Sequence, residues 1–340
     1  MKTTTQLNAT AHSNPGQPIG RLLKTIILLV GAVCLARVGL CQTPIACGQT
    51  VTGKTMTGSQ MDQYSYAASA GQLLIVALNS GDDCCGNRFI QADIYDPNGQ
   101  LWKSITPGGP PSISVSPTLT GTYSILVHSP AYNDLGSYSL SVQRVTAGGC
   151  GGMSLACGQT VSGRTTDPTQ MKPYALVASA GELLIVALNS GDDCCGNRFI
   201  QADIYDPNGQ LWRSVNNVNN QVSTNVTVSL AGMYTVLVHS PAYNDTGSYS
   251  LTETVLSGCS ALPTVSAAVQ PVSLGSDATF TSTANGPTPL FYERWVGGNR
   301  LTGWTSSNTY TLTNVQAGQL GIYKVVVSNP GGAVTNSARL

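Results

Sequence analysis

Acidic and amide side chains gather in two short segments of the chain, and both segments occur twice. The segments span 81–88 and 129–136, with counterparts at 191–198 and 240–247. Carboxylate and amide oxygens are the ligands that Ca²⁺ prefers, and beside an aromatic ring they also suit a sugar. We predict that ligand binding falls on Asp82, Asp83, Asn87, Tyr132, Asn133 and Asp134 in the first copy, and on Asp192, Asp193, Asn197, Tyr243, Asn244 and Asp245 in the second.

The carboxylates of this set are the residues that would hold a calcium ion, which takes about six to eight oxygen ligands. They are Asp82, Asp83, Asp134, Asp192, Asp193 and Asp245. A structural alternative stays open, because Asp and Asn are common in loops, where they hydrogen-bond their own backbone. No other cofactor is predicted.

The two histidines near these segments, His128 and His239, are expected to be strand residues rather than ligands or general bases. The order of Ser, His and Asp along the chain defines no nucleophilic arrangement. We therefore predict that the protein is not an enzyme.

Eight cysteines follow the N-terminal segment, four in each copy, and an exported chain with such a count is expected to form disulfides within each copy. The favoured pairing is Cys47–Cys150 and Cys157–Cys259, each worth about 4–5 kcal/mol in the chain-entropy model. It leaves the adjacent pairs Cys84–Cys85 and Cys194–Cys195. In the alternative pairing, the two outer cysteines of each copy bond separately to the two adjacent ones. A metal site built from these cysteines is not favoured, since no histidine lies at ligand spacing.

An internal repeat surrounds these residues. The stretch Ala-Cys-Gly-Gln-Thr-Val at 46–51 returns at 156–161, and residues 68–104 return at 178–214 with only Gln72 changed to Glu182 and Lys103 to Arg213. Repeats of this length are expected to be tandem domains. The segments 105–119 and 215–230 differ far more between the copies.

Each repeat has the pattern of short strands separated by turns. Residues 73–78 are apolar at every position, which predicts a strand buried on both faces. Apolar and polar residues alternate over 90–95, which predicts a half-exposed strand with Asp93 on its polar face. Asp-Pro-Asn-Gly at 96–99 predicts a turn, and further strands are expected over 121–127 and 137–142. Alternate loops of an antiparallel sandwich share an end, so segments 81–88 and 129–136 are expected together, opposite 96–99.

A different strand pattern begins at Pro263, with strands expected over 272–280, 292–296, 310–312 and 321–327. The chain stops at Leu340, close to the start of the expected last strand. The prediction is an all-β protein with two tandem jelly-roll-like β-sandwiches and one C-terminal immunoglobulin-like β-sandwich. Its expected divisions are 1–41 (polar tail and secretory signal), 42–150, 151–260 and 261–340.

The N-terminal segment predicts export. Arg21 and Lys24 precede an apolar run over 25–36, whose helix would span about 18 Å against a bilayer core of about 30 Å. Cleavage is expected between Ala36 and Gln42. A lipoprotein signal and a membrane-anchoring helix are the alternatives.

Charge is sparse: 9% of residues are charged and the net charge is zero. That argues against nucleic-acid binding, which needs a basic surface to neutralise phosphates. We expect a secreted or cell-surface protein without a transmembrane span in its mature chain, and a monomer.

The repeats resemble the bacterial pre-peptidase C-terminal domain family. The resemblance lies in Gly-Gln-Thr-Val at 48–51, Ile-Tyr-Asp-Pro-Asn-Gly at 94–99, Gly-Thr-Tyr at 121–123 and Gly-Ser-Tyr-Ser-Leu at 136–140, with Met233 replacing the threonine in the second copy. It implies a jelly-roll-like sandwich attached to secreted proteins, often hydrolases, which sometimes binds calcium or an extracellular polymer. The cysteines are not part of the family's usual pattern.

The third segment resembles bacterial immunoglobulin-like domains, through Pro-Leu-Phe-Tyr at 289–292, Leu-Thr-Asn-Val at 312–315 and the run over 321–329. The resemblance implies that Tyr323 is the corner tyrosine. Apolar residues replace both disulfide cysteines, and Trp295 lies one position past the usual core tryptophan.

The function expected from the sequence is non-catalytic binding or adhesion, with the tandem sandwiches contacting an extracellular polysaccharide or protein in a manner that could depend on calcium. The alternatives are an accessory region of a secreted hydrolase whose catalytic domain is elsewhere, and a structural spacer.

Overall fold

The computed structural model describes residues 42–80, 90–132, 135–190, 200–216 and 223–340. The chain from Gln42 to Leu340 belongs to one compact unit. The fold is all-β, and the described ranges contain one short 3-10 helix, Ala317–Gln319. The predicted signal, residues 1–41, lies outside the described residues.

The first repeat forms a sandwich of two sheets. Its strands are β1 (Thr43–Pro44), β2 (Thr50–Thr55), β3 (Met61–Ala68), β4 (Leu74–Ser80), β5 (Gln91–Tyr95), β6 (Leu101–Ile105), β7 (Ser112–Val115), β8 (Gly121–His128) and β9 (Gly136–Arg144). One sheet has the order β1-β3-β8-β5-β6 and the other β2-β9-β4-β7. We call them the five-stranded and four-stranded sheets. Their inner faces enclose a core that includes Leu74, Val76, Ile94, Ile125 and Leu140.

The second repeat reproduces this arrangement strand for strand. Its strands are β10 (Met153–Ser154), β11 (Thr160–Arg164), β12 (Lys172–Ala178), β13 (Leu183–Ser190), β14 (Gln201–Tyr205), β15 (Leu211–Asn216), β16 (Ser223–Thr227), β17 (Gly232–His239) and β18 (Ser248–Val255). The five-stranded sheet is β10-β12-β17-β14-β15, and the four-stranded sheet is β11-β18-β13-β16.

The third sandwich has fewer strands: β19 (Thr264–Val269), β20 (Ala278–Asn285), β21 (Phe291–Val296), β22 (Asn299–Arg300), β23 (Thr309–Leu312), β24 (Ile322–Asn329) and β25 (Gly332–Arg339). They form the sheets β19-β20-β23 and β22-β21-β24-β25. The hydroxyl of Tyr323 donates to the carbonyl of Gln319 at 2.8 Å, as a corner tyrosine does.

Two details of the third sandwich differ from the sequence prediction. The expected strand over 272–280 begins only at Ala278, because Ser273–Ser276 forms a turn with Gly275 at φ +86°. The last strand is also longer than expected, since β25 pairs with β24 over all eight residues.

The structure contains the disulfides Cys47–Cys150 and Cys157–Cys259, the favoured pairing. Each one joins the segment before the second strand of its repeat to the segment after the last strand. Cys84, Cys85, Cys194 and Cys195 lie outside the described residues.

The two repeats pack directly on each other. Leu73, Ile75, Ala77 and Val145, on the outer face of the first repeat's four-stranded sheet, contact Met171, Tyr205, Leu237 and Tyr243 on the outer face of the second repeat's five-stranded sheet. The apolar run at 73–78 is therefore buried on both faces, as predicted. Its second face is buried by the neighbouring repeat.

The third sandwich packs on the same sheet of the second repeat. Trp304 is buried against Ala175, Val177 and Met233, and Phe291 and Val326 pack beside it. The three sandwiches are thus joined by buried apolar contacts.

Candidate functional site

The segments predicted to share one end of the sandwich are attached to strand ends that do lie together. Ser80, which ends β4, pairs with Tyr138 of β9, and His128, which ends β8, pairs with Gln91 of β5. The 96–99 turn follows Tyr95, whose partner in β8 is Ser124, so it lies at the opposite end. We call the first of these the loop end. Residues 81–89 and 133–134 of the segments themselves are outside the described ranges.

A buried polar cluster lies on the five-stranded sheet at the loop end of the first repeat. The carboxylate of Asp93 accepts hydrogen bonds from Ser104 Oγ at 2.6 Å and Gln91 Nε2 at 2.7 Å, and its second oxygen lies 3.0 Å from His128 Nε2. His128 Nδ1 lies 2.9 Å from the carbonyl oxygen of Ser129. Both Asp93 and His128 are buried.

Hydrogen bonding keeps Asp93 ionised. Burial acts to raise the pKa of Asp93, but the hydrogen bonds from Ser104, His128 and Gln91 together hold that pKa below its ordinary value. Both ring nitrogens of His128 lie within hydrogen-bonding distance of protein oxygens. The ring is therefore held by contacts inside the fold and does not face a substrate.

The second repeat builds the same cluster from Asp203, His239, Ser214 and Gln201. His239 Nε2 lies 3.0 Å from Asp203, and Ser214 and Gln201 both donate to the carboxylate at 2.6 Å. Burial again raises the pKa of Asp203 and hydrogen bonding outweighs it, here with the bond from His239 as the largest lowering contribution.

A tyrosine in an unfavourable backbone conformation covers each histidine. Tyr132 has φ 55° and Tyr243 has φ 52°, values that side-chain-bearing residues rarely adopt. Each ring stacks on its histidine, with centroids 5.1 Å and 4.8 Å apart. The surroundings must stabilise this conformation at a cost of about 1–3 kcal/mol.

The two tyrosines nonetheless differ in environment. Tyr132 is 50% exposed, whereas Tyr243 is 4% exposed because the first repeat packs over it. Tyr243 was predicted to contact ligand, but it lies in the contact between the repeats. Sequence could not reveal this difference, since the two segments match.

Of the other predicted ligand residues, Asn244 is exposed and Asp245 is partly buried. Asp82, Asp83, Asn87, Asn133, Asp134, Asp192, Asp193 and Asn197 are outside the described ranges. Within the residues that are described, no three His, Cys, Asp or Glu side chains come together as a metal site would require.

An open groove of about 570 Å³ lies where the second repeat meets the loop end of the first. The described residues that line it are largely hydroxyl and amide, with one lysine and one aspartate: Thr52, Gly53, Lys54, Asn79, Ser137, Tyr138, Ser139, Asp167 and Pro168. Sequence reasoning did not identify it, because Asp167 and Pro168 reach the groove only through the packing of one repeat on the other.

The His–Asp pairing was missed as well. Asp93 was expected on a half-exposed strand face. The signal that could have revealed the pairing is the recurrence of Asp and His at matching positions of both repeats. Alternation along a strand does not show which polar side chains find partners on their own sheet.

Comparison with known proteins gives only distant structural likenesses. No protein-family model matches the chain, and no curated protein matches it in sequence. PliG of Aeromonas hydrophila, a periplasmic inhibitor of g-type lysozyme, is 18% identical with a TM-score of 0.24, over 29% of this chain and 94% of that one.

The pre-peptidase C-terminal domain of a Bacillus anthracis collagenase is 16% identical with a TM-score of 0.24, over 30% of this chain and 93% of that one. Extracellular domains 3–5 of Drosophila OTK are 13% identical with a TM-score of 0.23, over 88% and 94%. Similarities this weak do not identify any functional residue of this chain. Separately, the described part of the chain has no helix that is long and apolar enough to cross a membrane.

Proposed function

We propose that this chain is an exported, non-catalytic binding protein that holds an extracellular polymer at the loop end of its tandem sandwiches. The observation that carries the proposal is the groove between the repeats. Its hydroxyl and amide lining matches the hydrogen-bonding groups of a neutral glycan better than the apolar anchors of a protein partner.

The charge balance of the groove supports this choice. Among the described residues that line the groove, Lys54 and Asp167 carry the charges, and they are of opposite sign. Asp167 also organises its own turn, since its carboxylate accepts from the backbone nitrogen and the hydroxyl of Thr169 at 3.0 and 3.1 Å. The wall that the second repeat contributes is therefore held in place before any ligand arrives.

The buried clusters support a binding role rather than a catalytic one. His128 and His239 use both ring nitrogens on Asp93, Asp203 and neighbouring carbonyls. These two histidines stabilise the strand ends that carry the acidic segments. We propose that the acidic segments are a further part of the binding surface. Calcium held by Asp82, Asp83 and Asp134, with Asp192, Asp193 and Asp245 in the second repeat, would be an additional ligand of that surface.

Export and family membership belong to the same proposal. We propose that residues 1–41 are removed on export, and that the repeats are pre-peptidase C-terminal-like sandwiches, on the motifs at 94–99 and 136–140. A rigid spacer is the second candidate. It is favoured by the buried contacts that join all three sandwiches.

Glycan-array binding by the chain from Gln42 tests the proposal. The double variant Lys54→Ala/Asn79→Ala should lose at least about tenfold in affinity, or roughly 1.4 kcal/mol, because it removes two hydrogen-bonding groups of the groove. The matched control is Arg164→Ala/Asn189→Ala, which changes the equivalent residues of the second repeat and should leave binding unchanged.

A second arm tests the acidic segments. Asp82→Ala/Asp83→Ala, assayed with added calcium and with a chelator, should weaken binding if the segment contributes. Absence of binding to any glycan, with no rise in Tm on adding calcium, would exclude both ligands and favour the spacer.

A further inference from the structure

The contact between the two repeats uses one face from each, and the repeats are nearly identical. The first repeat contributes the outer face of its four-stranded sheet, and the second contributes the outer face of its five-stranded sheet. We call these the donor face and the acceptor face. Each repeat carries both, so the first repeat has an acceptor face and the second a donor face that this contact leaves unused.

The unused acceptor face preserves the residues of the used one. Met171, Tyr205, Leu237 and Tyr243 of the second repeat correspond to Met61, Tyr95, Leu126 and Tyr132 of the first. The four in the second repeat are buried, whereas Met61 is 39% and Tyr132 50% exposed, and the other two are partly exposed.

The unused donor face is preserved in the same way. Leu73, Ile75, Ala77 and Val145 correspond to Leu183, Ile185, Ala187 and Leu256. Ile75, Ala77 and Val145 are buried by the contact, but Ile185 and Ala187 are partly exposed and Leu256 is 65% exposed. An apolar surface is thus left exposed on each repeat, the acceptor face on the first and the donor face on the second.

The polar contacts can be reproduced too. Thr169 bonds across the contact to Ser141 at 2.9 Å and Ser139 at 3.2 Å, and it is fully buried. Its counterpart Ser59 is exposed, and the counterparts of its partners are Thr252 and Ser250, all of which carry hydroxyls. The hydroxyl groups of the Thr169 bonds therefore have equivalents on the unused faces.

A glycine turn completes the correspondence. A Cβ on Gly209 would lie 2.8 Å from Thr146 and 3.1 Å from Leu73 of the first repeat, whereas a Cβ on Gly99 would meet nothing within 4 Å. The glycine turn of the second repeat therefore contacts the first repeat, and the equivalent turn of the first repeat has open space at its glycine.

We infer that two copies of this chain associate through these unused faces. The donor face of the second repeat in one copy packs against the acceptor face of the first repeat in the other, as the two repeats pack within one chain. Such a contact is head-to-tail, so it extends into a ring or a filament rather than stopping at a symmetric dimer. It differs from the monomer expected from the sequence. It does not depend on the proposed polymer binding.

Paired face-blocking variants test the inference on the chain from Gln42. Met61→Glu blocks the acceptor face and Leu256→Glu the donor face, both at exposed positions that leave the sandwich cores intact. In sedimentation velocity the unaltered chain should grow from one chain to two or more as its concentration rises from about 1 to about 200 μM. Each variant alone should remain one chain.

Mixing the two variants gives the decisive measurement. The intact donor face of Met61→Glu should bind the intact acceptor face of Leu256→Glu, and the mixture should stop at a one-to-one pair. Leu274→Glu, at a 62% exposed leucine of the third sandwich, is the control and should assemble like the unaltered chain.

The inference is overturned if the unaltered chain stays a single chain at every concentration, which would leave the faces to a different partner. It is also overturned if one face-blocked variant still associates by itself, since that means a symmetric contact. Retained circular dichroism of each variant keeps a folding failure from being read as blocked assembly.

Discussion

Glu253 places a carboxyl group in the core of the second sandwich, where the first has Val142. Val186 pairs with Glu253 just as Val76 pairs with Val142, so the positions are equivalent. Glu253 is fully buried and neither carboxyl oxygen has a hydrogen-bond partner. Burial, with a smaller contribution from Glu182, raises the pKa of Glu253 to about 8.

This carboxyl should make the second sandwich less stable in alkaline solution. The folded state holds the proton up to about pH 8 and the unfolded state only to about pH 4.5, so the free energy of unfolding is highest below pH 4.5. It should fall by up to about 1.4 kcal/mol per pH unit between those values and level off above pH 8. Urea unfolding from pH 5 to pH 9 measures the slope.

Glu253→Val should abolish that slope and raise the free energy of unfolding by about 1–3 kcal/mol at neutral pH, since it replaces an unsatisfied polar group with an apolar one. Glu182→Gln is the control, because it removes only the smaller electrostatic contribution. A slope that persists in Glu253→Val would show that another group titrates.

At the scale of the strand, a glycine and a tyrosine pair across β2 and β9. Gly53 lies opposite Tyr138, whose ring covers it, and a Cβ there would be 2.3 Å from the ring. The ring cannot easily move, because its hydroxyl donates to Asp62 at 2.5 Å and lies 2.8 Å from that of Tyr64. The second repeat repeats the pair with Gly163 and Tyr249.

Gly53→Ala should therefore destabilise the first sandwich by about 1–3 kcal/mol through overpacking. Gly321→Ala, where a Cβ would meet nothing within 4 Å, is the comparison and should change stability little. Urea midpoints at a constant m-value are the measurement. Equal midpoints for the two variants would mean that the Tyr138 ring moves aside without loss of stability.

At the scale of the molecule, the contact between the repeats gives equivalent alanines of the two repeats different burial. Ala77 is completely buried between the sandwiches, and its equivalent Ala187 is partly exposed. Ala77→Asp should cost at least about 2 kcal/mol, because it buries an unpaired charge. Ala187→Asp should cost far less.

Calorimetry and limited proteolysis distinguish the two variants. Ala77→Asp should separate the unfolding of the repeats and expose the connection over 146–152 to protease, while Ala187→Asp should resemble the unaltered chain. Matching proteolysis in both would show that the repeats do not depend on this contact.

The sequence by itself determined the fold class, the repeat and the position of most strands. These follow from local chemistry: alternating apolar side chains, turn residues such as those at 96–99, and cysteines placed at the two limits of each repeat. The strand ends that lie together at one end of the sandwich also follow, since each antiparallel strand crosses the full height of its sheet.

Only the tertiary structure decided which faces of these strands are covered. Residues 73–78 and 183–188 have the same sequence, yet one outer face is buried by a neighbouring repeat and the other remains open. The same holds for Tyr132 and Tyr243, and for the groove that Asp167 completes. Burial of an outer face depends on what packs against it, and that partner lies far away in the sequence or on another molecule.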